Sequence, residues 1–155
     1  MKIVVDTNIV FSAIMNTQGK LGQVIINGSR FFQFYSIALL KDELNNHKNK
    51  ILRYSGYSDE QYEQILKIIL GKIRFVEDIL IPDEEFRKAL KLVIDIDEND
   101  APFVALNGHL NSNLWTGDMK LYNGLKAKGY TRIKSTEEIY KIYLEKELKA
   151  RLRKG

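Results

Sequence analysis

The 155-residue chain has no cysteine, one tryptophan and only two histidines. Without cysteine there can be no disulfide framework, no thiolate zinc site and no cysteine nucleophile. His47 and His109 sit in polar stretches, NNHKN and NGHLN, and are expected to be exposed and not catalytic. No apolar run approaches the length that spans a bilayer. The N-terminus enters a strand directly, without the basic, apolar and small-residue succession of a signal peptide. These absences predict a cytoplasmic protein with no membrane partner. Glycine patterns are missing too. No G-x-x-x-x-G-K-[ST] loop or G-x-G pair offers a phosphate cradle, and no G-x-S-x-G elbow presents a nucleophilic serine.

What is present is an ordinary globular composition, 45% hydrophobic and 28% charged. The length suits one domain that buries roughly 68–70% of its unfolded surface. The net charge of +4 is unevenly placed. Between Glu77 and Asp100 nine acids face three bases, whereas residues 141–155 hold six bases and two acids. An acidic stretch can gather metal and a basic tail can gather phosphate, although both also serve as solvated faces.

Strand-like and helix-like periods alternate along the chain. Strands are predicted at 2–6, 31–36, 73–78, 113–116 and 132–134. Helices are predicted at 8–15, 20–28, 37–53, 58–70, 83–94, from 100 to 110, 119–129 and 135–148. Ser58 with Gln61 three residues on makes a capping box, and Pro102 is tolerated only in a first helical turn. Strands separated by helices imply an α/β domain with a mainly parallel sheet covered on both faces. Trp115 is expected in the core. Tyr54, Tyr57 and Tyr62 surround Gly56, either as packing at a helix junction or as surfaces for stacking bases or meeting a partner.

Four acids stand where such a sheet builds its sites, at strand ends and helix starts. Asp6 ends the apolar run Ile3-Val4-Val5. Asp118 follows LWT and Gly117. Asp100 opens a helix, and Glu43 lies on the helix after the second strand. Each has an ordinary structural reading: Asp6 and Asp100 as N-caps, Asp118 as a turn residue, Glu43 as a surface acid. Two strand-end acids in one small sheet, however, should point into one cleft.

VVDTN (4–8), LKDEL (40–44), DENDAPFVALN (97–107) and TGD (116–118), in this order and spacing, resemble the PIN-domain family. They are most similar to its VapC-like branch, toxins of toxin–antitoxin systems. The resemblance implies a three-layer α/β/α PIN-like domain over 1–148, followed by a basic C-terminal tail at 149–155. It further implies a Mg²⁺- or Mn²⁺-dependent ribonuclease with Asp6, Glu43, Asp100 and Asp118 as catalytic metal ligands. Asp97 would be an auxiliary acid at the rim, and Thr7, Asn8 and Thr116 would orient carboxylates or bind water. An RNA substrate, an antitoxin protein and a homodimer are the implied partners. The chain departs from the family pattern where Met119, Lys120 and Leu121 replace a further acid after Asp118, and where Asn107 stands in place of alanine.

The donor chemistry agrees independently. Hard divalent cations take oxygen ligands, and the chain supplies carboxylates but no thiolate. Two alternatives remain open: a catalytically weak PIN-like scaffold that binds RNA or a partner, and an aspartyl-phosphate phosphatase using Asp6. The latter would need a D-x-D pattern, and position 8 is Asn. The tail either contacts RNA phosphates or forms a soluble helix end.

Overall fold

Ile3, Val4 and Val5 expose no surface, which a strand achieves only when it is covered on both faces and flanked on both edges. β1 (Lys2–Val5) is that strand in the computed structural model, which describes residues 1–154. It pairs in parallel with β2 (Gln33–Ile37) on one side and β4 (Asn113–Thr116) on the other. Val4 stands opposite both Tyr35 and Leu114. β3 (Ile73–Val76) and β5 (Ile133–Ser135) complete a parallel sheet of order β3-β2-β1-β4-β5.

The chain therefore starts in the middle, works outward to β3, then crosses back to the other side of β1. Strand order reverses between β1 and β4, and open parallel sheets form their sites beyond the carboxyl ends of strands at such a point.

Nine α-helices flank the sheet among the described residues. α1 (Thr7–Met15) packs on α2 (Lys20–Gly28), and α3 (Leu39–Asn46), α4 (Lys48–Ser55) and α5 (Asp59–Leu70) pack on α1. α6 (Asp83–Val93) packs on α7 (Ala101–Leu110) and α8 (Met119–Ala127), while α9 (Thr136–Lys154) lies against α2 and β5. α7 is apolar nearly all round, with Phe103, Val104, Ala105 and Leu106 buried, as expected of a helix lying on the sheet inside the core. Trp115 is wholly buried as predicted.

Asn107, the departure from alanine, is a buried polar tie. Its amide donates to the Arg132 carbonyl at 2.9 Å and to the Tyr130 hydroxyl at 2.6 Å, and its carbonyl accepts from Ser112 at 2.7 Å. It joins α7 to the approach of β5.

Most boundaries move by one or two residues from the sequence reading, and three differences have a local cause. The helix predicted over 37–53 is two helices, broken at His47, whose φ of −100° and ψ of 7° leave the helical region. Asn45 and Asn46 precede the break, and such side chains compete for backbone hydrogen bonds in helices. β3 ends at Val76 and gives way to a 3-10 turn at Asp78–Leu80. The last helix runs to Lys154, because the stretch beyond Leu148 is Lys, Ala, Arg and Leu, all good helix formers. The Ser58–Gln61 capping box forms as predicted, with both reciprocal hydrogen bonds present.

Candidate metal centre

Val5 ends β1 and Asp6 turns the chain into α1. Asp6 Oδ1 accepts the Ile9 N–H at 3.0 Å, so it is an N-cap. Its other oxygen, Oδ2, accepts the hydroxyl of Thr116 at the end of β4, 3.2 Å away. Thr116 Oγ1 in turn accepts the Asp118 N–H at 3.0 Å. One buried threonine thus ties the two strand-end acids across the switch point. Burial pushes the Asp6 carboxyl up to about 6, against the lowering effect of the Ile9 and Thr116 bonds.

Asp118 is the N-cap of α8, accepting the Lys120 and Leu121 N–H groups at 2.9 and 3.3 Å through Oδ1 alone. Each cap uses one oxygen of its carboxylate and leaves the other off the helix.

Asp100 behaves differently. It opens α7 but makes no capping bond, and its Oδ2 is buried without any hydrogen-bond partner. A buried carboxylate oxygen with no donor is costly. Burial raises the Asp100 carboxyl to about 7, with further upward pushes from Asp97, Asp6, Asp118 and Glu43 in that order. Every acid singled out from the sequence therefore acts on this one group. Asp97 caps the 3-10 turn at Glu98–Asp100 through the Asn99 N–H, and stands exposed beside the cleft. Glu43, on α3, accepts a short hydrogen bond from the Thr7 hydroxyl.

Asp6, Thr7, Asn8, Glu43, Asp97 and Asp100 line one cleft of about 330 Å³. Thr116 lies beneath it, buried, and Asp118 reaches it through its charge but does not line it. The sequence reading missed Phe11, His47, Lys50, Asn99 and Phe103, which also line it. His47 is exposed, as predicted. No periodic signal marked Lys50, because the break at His47 puts it on α4 while Glu43 lies on α3.

The residues fit a hard divalent cation. The donors are carboxylate oxygens, and one of them is orphaned and buried. As they stand, no three acidic or histidine side chains among the described residues are gathered closely enough to hold an ion.

The chain is an α/β domain with a parallel sheet, and a cleft partly lined by carboxylates lies beyond its switch point. The family description "PIN domain" matches residues 4–143, and the chain belongs to the PIN-domain family, whose members are in general nucleases. The fold is also similar to a chain in the crystal structure of VapBC2 from Rickettsia felis bound to a DNA fragment from their promoter. The TM-score is 0.65 at 16% identity, covering 87% of this chain and 98% of that one. No curated protein matches the sequence. No helix among the described residues is long and apolar enough to cross a membrane.

Proposed function

We propose that this chain is a Mg²⁺- or Mn²⁺-dependent endoribonuclease, the VapC-like toxin of a toxin–antitoxin pair. The observation that carries the reading is Asp100: its carboxylate has a buried, partnerless oxygen, and burial first and four neighbouring acids second raise it. A structural cap would have spent that oxygen on α7. A cation supplies the missing partner.

Asp6, Asp100, Asp118 and Glu43 would hold the ion. When bound, it supplies Lewis acidity that lowers the pKa of water and offsets charge on phosphodiester oxygens. Thr116 holds the Asp6 carboxylate in place through a hydrogen bond, and Thr7 does the same for Glu43. Asn8 and Asp97 stand at the mouth, where they can position water. Lys50 is the cation of the cleft, suited to a phosphate oxygen of the RNA. An antitoxin protein and a second copy of the chain are the partners in this reading, and the cytoplasm is its compartment.

Met119-Lys120-Leu121 in place of a further acid favours one alternative, a scaffold that binds RNA without cutting it. Cleavage of RNA in Mn²⁺, in EDTA and with Asp100→Asn and Asp118→Asn separates the two. The nuclease reading expects cutting in Mn²⁺ only, reduced by at least about a hundredfold in either variant, the order of loss when charge stabilisation is removed. Equal cutting by Asp100→Asn and the parent would sink it.

A further inference from the structure

The three tyrosines around Gly56 part company in the fold. Tyr62 is buried, and the Tyr57 hydroxyl donates to the Ile14 carbonyl at 2.9 Å. Both pack the junction of α4 and α5. Tyr54 does not; it is 67% exposed.

Tyr54 closes a row. Lys50, Arg53 and Tyr54 are spaced three and four residues apart, so they share one face of α4. Together with Asn49 they line a depression of their own. Lys50 lines both that depression and the acidic cleft, so the two concavities adjoin at its side chain. α4 has no acid in its sequence, KNKILRYS. Its remaining cation, Lys48, faces the other way and pairs with Asp59 and Glu63. Gly56, at φ 75°, ends the helix in a left-handed cap and stops the row just beyond Tyr54.

We propose that this face of α4 is a subsite for the unpaired nucleotides next to the cut phosphate, with Lys50 and Arg53 on phosphates and Tyr54 stacking a base. The proposal rests on the nuclease reading of the cleft. Lys50 to Tyr54 spans about 6 Å of helix axis, a length on the scale of one nucleotide step of an unpaired strand. A base can lie on a tyrosine only when it is splayed from a duplex, so the subsite selects single-stranded RNA.

The test uses the full chain and a short labelled single-stranded RNA of mixed sequence, with the same strand annealed into a duplex as control. Binding is read by anisotropy in EDTA across a salt series, and cleavage by kcat and KM in Mn²⁺. Tyr54→Ala is expected to raise Kd and KM roughly tenfold, within the range for losing one stacked base, with kcat within about twofold. Tyr54→Phe retains the ring and should behave as the parent, while Tyr54→Leu should behave as Tyr54→Ala. Replacing Lys50 and Arg53 with Ala should shallow the slope of log affinity against log salt by about 1.4, and Tyr54→Ala should leave it unchanged. The duplex should bind more weakly than the strand and ignore Tyr54. If no cleavage occurs but these binding effects appear in EDTA, the subsite stands and the nuclease reading falls. Unchanged Kd, KM and salt slope in all variants would overturn the subsite and leave Tyr54 as a contact for a protein partner.

Discussion

Asp6 and Asp100 carry the largest electrostatic cost in the molecule, and its sign is testable. Both carboxyls are raised from an ordinary 3.8, to about 6 and about 7. A raised acid favours folding while protonated in the native state, so its contribution is fully present below the unfolded value. It is lost as pH rises through the folded one. For Asp6, the more deeply buried of the two, the cost at neutral pH is on the order of 3 kcal/mol. In EDTA, stability should therefore fall as pH climbs from about 4, and level off about one unit above 7, where both groups have ionised. Urea midpoints at pH 5 and pH 8 measure this. Asp100→Asn should lessen the difference between the two and be more stable than the parent at pH 8. A parent midpoint that is flat or rising over the interval would mean that neither acid is held protonated by its surroundings.

The end of α9 runs past the core, and Arg151 and Lys154 line a depression with Asn27 and Arg30 at the end of α2. Ile139 and Tyr143 anchor its first half in the core, whereas Lys149, Arg151, Arg153 and Lys154 lie beyond on exposed turns. Leu144, Leu148 and Leu152 are exposed as well. Arg30 pairs with Glu147 and so fastens α9 to the end of α2 just before that stretch. Truncation after Leu148 should therefore shift the melting temperature by less than about 2 °C, since exposed positions contribute little. It removes four cations, and the salt slope of RNA binding should flatten by up to about 2.8 if all four meet phosphates. A slope that does not move would make this stretch an antitoxin contact or an inert helix end.

Across the whole molecule, the site joins elements that are distant in sequence, so whatever occupies it should hold them together. A divalent ion that binds only the folded chain adds about 2.7 kcal/mol at a hundredfold excess over its dissociation constant. Thermal melts at pH 8 should rise with Mn²⁺ relative to EDTA in the parent, and far less in Asp6→Asn or Asp100→Asn. Equal rises in all three would locate the ions on the acidic surface generally, away from the switch point.

Much of this architecture was already legible in the chain by itself. The alternation of periods placed five strands between helices, the Ser58–Gln61 box marked the start of α5, and Asp6 and Asp118 stood at strand ends. All of these are local properties, set by neighbours within about four residues. Local patterns left each acid with two readings, ligand or ordinary structural residue, the latter a cap for Asp6 and Asp100, a turn residue for Asp118 and a surface acid for Glu43. Tertiary structure decided which groups surround each of them. It set β4 beside β1, so that Thr116 reaches Asp6 across 110 positions and Thr7 reaches Glu43 across 36. It left the Asp100 oxygen buried with no donor, and it turned the Lys50 face of α4 toward the acids. Which groups meet across such separations depends on strand order and on the break at His47, and neither is written in any window short enough to carry a periodic signal.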